Sequence, residues 1–599
     1  MVSTHLLIVL SFLNALNVIN TSKDKLIEDN IHGLIASFGD FDSDKNTDVF
    51  LITENGKSLE ILRGYITSEP ALRKWPSIKC TFDNTNEIIV GVITSDFSGK
   101  AMMDVLVVTT SSVKDKNLFN LWLFRGNASH LDCNTSKALV TDVKSHPFVL
   151  DYNGDMISDF IVETNNCSRE LWTRSATNTL QRDCPLEIQP KVSQSMRFPH
   201  SNAFINLDPF GKDMSPDVFI SGTDHMEYWY DNHGFSPEDV VIFHYPDPKT
   251  YQHKGQSAFV DFNIDGQIDH ILPVCKSIDD NICKDPQILG YDFNQKTWVS
   301  VMSDFSYGNS SLTFAQVSVE GQNLPITLRH GDIDGDGYID FITVMKNNEN
   351  EYKGVVLKNK ANNNTFGRHF VIDWTSDKHL NPGLNVDSVA FFDLYEDGKL
   401  DILMTTSDDK KVRTVFAVVN TQLIAACFLK ILVTSGLCYG SSCPRGNIPY
   451  GTNQFGPFVC YQLQDLEGVW QTGCAGQLSQ TAHSALQMPY SVFGLGETPN
   501  FVENVYASIP SGKMGSRSSK WTQIVPDAQV VLIPFPPNDT NNWISKLFYT
   551  PSTIIFSTLI TLAAICCLLV LIIGILHRKE LLEDLADHEE YKRFWPESR

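Results

Sequence analysis

Basic residues are in short supply: 47 Lys and Arg stand against 70 Asp and Glu, a net charge of −23. That balance excludes nucleic acid as the main partner, because phosphate backbones are gripped through a basic face and released counterions. It suits the binding of cations instead. Catalytic signatures are missing too: the sequence holds no HExxH helix, GxSxG elbow, Walker A loop or Rossmann glycine fingerprint. Of the 16 histidines, His330 and His483 are the most suggestive, and neither has a nucleophile motif beside it. The expectation is a binding protein and not an enzyme. The 13 cysteines include no CxxC pair of the zinc-holding kind. Helix-length apolar periodicity is absent from residues 30–410.

Charge is absent from Thr553 to Leu576, a run long enough as a helix to outreach a hydrocarbon layer of about 30 Å. Arg578 and Lys579 follow it at once, and only Lys546 lies near its other end, so residues 577–599 are expected in the cytosol and the rest outside. A shorter apolar run, Leu6 to Val18, has signal-peptide length but lacks a charged flank and a clean cleavage site; residues 1–20 are assigned to it. The expected location is the cell membrane, single-pass type I, with the N-terminal part extracellular. Cys566 and Cys567 fall in the span. The others should mostly pair in an oxidising compartment, with Cys275/Cys283 and the group Cys427, Cys438, Cys443, Cys460 and Cys474 the nearest neighbours for local bridges. Sequons at Asn20, Asn127, Asn134, Asn166, Asn309, Asn363 and Asn538 all precede the span.

What the chain does have is a repeat. An Asp, a short polar stretch, another Asp and an apolar β-type run recur at intervals of about 59 residues. Four copies are full: Asp40-Phe-Asp42-Ser-Asp44 closing at Asp48, Asp151-Tyr-Asn153-Gly-Asp155 closing at Asp159, Asp261-Phe-Asn263-Ile-Asp265 closing at Asp269, and Asp332-Ile-Asp334-Gly-Asp336 closing at Asp340. Three copies are degenerate, beginning at Asp96, Asp208 and Asp393. The spacing leaves room for one four-stranded blade per copy, and the short Val-, Ile- and Phe-rich runs read as strands. The fold expected is all-β: a seven-bladed β-propeller over residues 25–428, then a small β-rich module over 430–545, one transmembrane helix at 553–576 and a short tail.

Counting the first Asp as position 1, the full copies place oxygen side chains at 1, 3, 5 and 9. In a tight turn these converge on one point, where mutual repulsion costs several kcal/mol, on the order of Coulomb estimates at a moderate dielectric, unless a cation is present. All-oxygen ligation suits Ca²⁺ rather than Zn²⁺. An EF-hand is the competing reading, but position 12, its bidentate Glu, is Leu51, Val162, Leu272 or Thr343 here. The copy at Asp96 has Ser98 and Lys100 at positions 3 and 5, and that at Asp208 has Phe210 and Lys212, so both are expected to be empty. The copy at Asp393 has Tyr395 at position 3 but keeps Asp397 and Asp401, and a weak site is expected.

These loops resemble the FG-GAP repeats of integrin α-subunit propellers. With the signal segment, the single span and the short tail, the chain resembles the T-cell immunomodulatory protein (Linkin) family over nearly its full length, including Tyr450 to Gly496 and Trp521 to Pro537. The resemblance implies a calcium-binding cell-surface glycoprotein whose propeller binds an extracellular or cis membrane protein, in cell adhesion or immune-cell modulation. A secretory-pathway cargo or quality-control protein and a propeller hydrolase are the alternatives. For the tail, HRKELLEDLADHEEYKRFWPESR, the resemblance implies docking to cytoplasmic proteins, with RuvB-like ATPases and tubulin linked to the family; the residues themselves fit a short amphipathic helix or a disordered stub. Ser491-Val-Phe-Gly-Leu-Gly496 resembles a module that follows FG-GAP repeats in other secreted proteins, and equally reads as plain loop chemistry.

Overall fold

The computed structural model describes residues 26–594 except 67–68, 83–85, 112–117, 128, 175–178, 192–193, 208–213, 231–239, 280, 308–309, 315, 321, 374–379, 381–382, 421–425, 439–448, 465–467, 482–483, 497–500, 512–514 and 550–552. The signal segment, Asn20, Asn309, His483, Cys443 and the loop beginning at Asp208 therefore lie outside the described residues.

The apolar runs that follow each Asp phrase become the second strands of successive antiparallel sheets. Among the described residues, seven such sheets follow one another in chain order, spanning residues 34–81, 87–143, 148–183, 203–244, 253–302, 313–372 and 385–418. Each is a β-meander, and their succession is that of a β-propeller. The second strands, such as Asp48–Thr53 (DVFLIT) and Asp159–Val162 (DFIV), are buried along their whole length, on both faces. That explains why they read as continuous Val/Ile/Phe runs instead of alternating. Cores form between neighbouring sheets: one joins Phe41, Phe50 and Ile61 to Val105, Val107 and Phe124, another Phe262, Ile271 and Ile288 to Phe314, Phe341 and Phe370.

The ring closes on its own N-terminal segment. The last sheet has only three named strands, but the Gly33 N–H donates to Arg413 O at 3.2 Å and the Val415 N–H to Ile31 O at 3.1 Å. Residues 31–33 thus pair with the outer strand of the seventh sheet and hide its edge.

Residues Cys427 to Tyr549 form a β-sandwich of two four-stranded sheets. One contains Cys427–Val433, Ser491–Gly496, Ala528–Ile533 and Ile544–Tyr549; the other contains Phe458–Gln464, Trp470–Gly476, Val502–Ile509 and Arg517–Ile524. Leu429, Ile431, Val459, Tyr461, Val505 and Val530 fill the space between them. The described residues of the connection from Gly476 to Ser491 leave the sandwich and enter the axis of the propeller. Its Thr481 hydroxyl accepts from the Val149 N–H at 2.8 Å and donates to Pro147 O at 2.8 Å. Arg329 donates to Ser484 O at 2.7 Å, and Leu486 packs with Phe38, Ala390 and Phe392 from the first and last sheets. A cavity of about 40 Å³ remains beside it, lined by Asn202, Gln256, Phe259, Arg329 and Thr481 among others.

Among the described residues four disulfides are seen: Cys80–Cys133, Cys167–Cys184, Cys275–Cys283 and Cys460–Cys474. Of the group of five late cysteines, Cys460 pairs with Cys474, whereas Cys427 packs against the sandwich core. The C-terminal part is a second unit, a single helix Thr553–Phe594 that is long and apolar enough to cross a membrane. The tail through Phe594 continues that helix.

Candidate metal loops

In six of the seven sheets the described Asp phrase joins the first strand to the second, so these loops lie on one face of the ring. Register explains why: the position 9 Asp opens the second strand and pairs with the last residue of the first, as Gly39↔Asp48, Leu150↔Asp159, Val260↔Asp269, Gly331↔Asp340 and Phe392↔Asp401. The position 1 carboxylate holds the turn together by accepting from the backbone ahead of it. Asp40 takes the N–H groups of Asp44 and Lys45 at 3.0 and 2.9 Å, Asp151 those of Asp155 and Met156 at 3.1 and 2.9 Å, and Asp261 those of Asp265 and Gly266 at 3.1 and 3.0 Å. Position 9 reaches back to position 2 and across to the third strand: Asp48 accepts from the Phe41 and Gly64 N–H groups, both at 2.9 Å. Such winding forces positions 4 and 6 into left-handed backbone. Gly335 (φ 68) and Gly337 (φ 93) take it freely, while Ser43, Lys45, Met156 and Ile264 take it at a cost that surrounding contacts must offset.

Two loops bring three carboxylates together. Ligand oxygens of Asp40, Asp42 and Asp48 lie within 4.8 Å of one another, and so do those of Asp332, Asp334 and Asp340. Asp44 and Asp336 stand aside, accepting from the N–H groups of Asn46 at 2.8 Å and Tyr338 at 2.9 Å. In the loops with Asn at position 3, Asn153 donates to Asp155 at 3.0 Å and Asn263 to Asp265 at 2.9 Å. Five buried oxygens of the predicted sets have no hydrogen-bond partner: Oδ1 of Asp42, Asp159, Asn263, Asp332 and Asp334. Orphaned acceptors of this kind are costly, and a hard divalent cation satisfies them; the donor set, all oxygen, fits Ca²⁺.

Electrostatics agree. Burial, reinforced by the neighbouring Asp336, pushes the Asp332 carboxyl up to about 8, and burial with Asp155 pushes Asp151 up to about 8. Asp40, Asp48, Asp159, Asp261, Asp269 and Asp340 are all raised well above the usual carboxylate range, burial being the main cause. Nearby cations offset only part of this: Arg63 pairs with Asp42 and lies 3.2 Å from Asp44, and Lys358 lies 3.2 Å from Asp334.

The degenerate copies differ. At Asp96 the turn survives, with the N–H groups of Lys100 and Ala101 donated at 3.2 and 2.7 Å, but Ser98 donates back to Asp96. At Asp393 a cation is built in. Lys430, from the sandwich, places its ammonium 2.9 Å from Asp393 Oδ2 and against Glu396, with the Lys430 and Asp393 side chains fully buried. The buried ammonium stands beside the loop at which a weak metal site is expected.

The sandwich touches the other loops as well. The Cys474 N–H donates to Asp261 Oδ2 at 3.1 Å, the Gly496 N–H to Gly335 O at 3.0 Å, and Arg517 to Gly154 O at 2.8 Å. A Cβ on Gly494 would stand 2.0 Å from Asp332 Oδ2. The sequence carries no local signal for these contacts, since each joins residues more than a hundred positions apart.

A family model described as "ITFG1, C2 domain" matches residues 449–548, within the sandwich. The human T-cell immunomodulatory protein is 34% identical over 592 residues, covering 94% of this chain and 92% of its own length. The chain belongs to the T-cell immunomodulatory protein family. Protein linkin of Caenorhabditis elegans, 24% identical over 89% of this chain and 90% of its own, is a more distant relative of this T-cell immunomodulatory protein family member. Among solved structures, the BP39L lectin from Burkholderia pseudomallei aligns at TM-score 0.37 and 13% identity, over 65% of this chain and 97% of its own. The Dos1 propeller aligns at TM-score 0.29 and 13% identity, over 52% and 65%.

Proposed function

We propose that this membrane-anchored chain is a calcium-stabilised adhesion or receptor ectodomain that modulates immune or neighbouring cells by binding another protein. The observation that carries the calcium part is the set of buried, partnerless carboxylate and amide oxygens in the loops at Asp40, Asp151, Asp261 and Asp332. Asp40, Asp42, Asp44 and Asp48; Asp151, Asn153, Asp155 and Asp159; Asp261, Asn263, Asp265 and Asp269; and Asp332, Asp334, Asp336 and Asp340 would hold the ions. Calcium there supplies positive charge that fixes each turn; it performs no chemistry. In extracellular fluid at about 1 mM Ca²⁺, a site with a dissociation constant of about 10⁻⁴ M is mostly filled and adds about 1.4 kcal/mol to stability.

The immune assignment comes from the printed name of the mammalian relatives. Filling of the propeller axis by residues 478–481 and 484–487 supports a binding role over a catalytic one, since they occupy the place where an axial active site would sit. The five described sequon asparagines, Asn127, Asn134, Asn166, Asn363 and Asn538, are all exposed, as glycosylation requires. Calorimetric titration of the metal-stripped ectodomain with Ca²⁺ tests the proposal; absence of uptake at millimolar concentrations refutes it. Proximity labelling from each end of the intact protein identifies the partners, including any protein bound by the tail.

A further inference from the structure

A buried positive charge at the ring axis has no negative partner. Arg329, from the sixth sheet, is 6% exposed. Its guanidinium donates to two neutral carbonyls, Val389 O at 2.9 Å and Ser484 O at 2.7 Å, and its Nε is buried with no hydrogen-bond partner. Burial, with no carboxylate among the described residues to offset it, pulls its pKa down to about 9, so the group is still charged at neutral pH. Elsewhere the chain obeys the usual rule that a buried charge is paired: Arg169 meets Glu227 at 2.6 Å, and Arg413 meets Glu320 at 2.7 Å and Asp387 at 2.9 Å.

Arg329 lines the axial cavity of about 40 Å³. None of the described residues lining that cavity is Asp or Glu. The two residues of the axial connection outside the described set are Ala482 and His483, neither of them an acid. Ser201 lines the cavity as well, and its hydroxyl accepts from Arg197 at 2.8 Å and from the Ser257 N–H at 2.9 Å. With both lone pairs engaged, the hydroxyl keeps its own proton to donate. Arg197 brings a second guanidinium without a carboxylate, since its shortest other bond is to Gly255 O at 2.8 Å.

Size and charge together narrow the occupant. The cavity exceeds the share of one water in the liquid, about 30 Å³, and falls far short of the pockets that hold organic ligands, about 300 Å³ and upwards. A water would accept from the Arg329 Nε–H and leave the charge uncompensated. A small anion answers both needs, because it accepts hydrogen bonds from guanidinium and hydroxyl and neutralises the buried cation.

We propose that the axial cavity is a binding site for a chloride-sized monovalent anion, held by Arg329 and the Ser201 hydroxyl, which fastens the sandwich's connection to the ring. The test is the melting temperature of the full chain in detergent as sodium chloride replaces sodium gluconate at constant ionic strength. EGTA is present throughout, so the outcome does not depend on the calcium loops. Once chloride exceeds its dissociation constant, melting should rise by about 1 °C for each tenfold increase, and bromide should act alike. Arg329→Gln should abolish that dependence. Because this variant also gives up the bonds to Val389 and Ser484, Asn202→Asp serves as a second: Asn202 lines the cavity and its Oδ1 accepts from the Ser221 N–H at 2.8 Å, a bond that Asp keeps. With a carboxylate built into the wall, the protein should melt in gluconate as wild type does in chloride and show no further halide response. Bromide-soaked crystals of the full chain should give an anomalous peak beside Arg329. A flat chloride response in wild type overturns the proposal and assigns the cavity to water. An undiminished response in Arg329→Gln, or a bromide peak only elsewhere, overturns it too.

Discussion

Replacing Lys430 by Met should cost the protein more than any single change at the proposed calcium loops. Its ammonium lies 2.9 Å from Asp393 Oδ2 and against Glu396, with side-chain exposures of 0% for Lys430 and Asp393 and 5% for Glu396. The Tyr490 ring centroid is 3.7 Å away. The two carboxylates hold the ammonium's pKa far above its ordinary value, while burial keeps Glu396 up at about 7 even with the lysine present. Methionine matches the stem but removes the charge, leaving two buried carboxylates uncompensated. Removing one partner of such a group costs about 3–5 kcal/mol, two to nearly four decades in the folded-to-unfolded ratio at about 1.4 kcal/mol per decade. Denaturant melts of the chain without its C-terminal helix, in EGTA and in millimolar Ca²⁺, provide the assay. The variant should be strongly destabilised in EGTA. It should also gain more from calcium than wild type does, because Asp393, Asp397 and Asp401 now admit a divalent ion. Lys430→Arg should retain most of the stability. A Lys430→Met protein as stable as wild type in EGTA, or one with no extra calcium gain, would refute the idea that lysine stands where a metal would.

Asp334→Ala should lower the melting temperature in calcium and shrink the EGTA-induced shift by about one site, about 1.4 kcal/mol, whereas Asp104→Asn in the second loop should leave that shift unchanged; differential scanning fluorimetry distinguishes them. Gly494→Ala drives a methyl group to 2.0 Å from Asp332 Oδ2 and 2.6 Å from the Gly335 backbone, so it should cost about 1–3 kcal/mol and weaken calcium uptake in the sixth loop, both measurable by melting and titration. His270 is fully buried among Phe219, Phe259 and Trp298, and burial, with a smaller contribution from Arg197, lowers its pKa to about 3. Because the folded value lies below the unfolded one of about 6.5, the neutral ring's contribution is present above pH 6.5 and is lost as pH falls, by about 2.7 kcal/mol at pH 4.5. His270→Phe should flatten the acid limb of a stability-versus-pH curve, and an unchanged slope would exclude this histidine as its source.

The sheets were legible because each needs the same local device. An Asp that ties down the turn and a second Asp that opens the next strand leave a mark in the sequence wherever a blade begins, even at Asp96 and Asp393, where the ligand residues have drifted. The site was legible only to first order. Position 5 also serves the turn itself, Asp44 and Asp336 accepting the N–H groups of Asn46 and Tyr338, a backbone role that spacing does not reveal. Long-range partners left no trace. Lys430 sits in an ordinary strand, FLKILV, and nothing around it announces a buried ammonium bound for Asp393. Cys80 and Cys133 bridge across 53 residues, beyond any local rule for pairing. The β-module was recognisable as strands, but its insertion into the propeller axis was not, since Gln, Ser and Thr in residues 477–484 look like a polar surface loop until Val149 and Pro147 supply their hydrogen bonds.

That insertion changes how the molecule must come apart. In an ordinary ring each sheet leans only on its two neighbours, so one can loosen while the far side holds. Here a single peptide is fastened to the third sheet through Thr481, to the sixth through Arg329 and Ser484, and to the first and seventh through Leu486. It acts as an axle through a wheel: spokes on opposite sides share one fixture, and the hub cannot be withdrawn without dismantling the sandwich from which it grows. Heating should accordingly produce one endotherm for both modules.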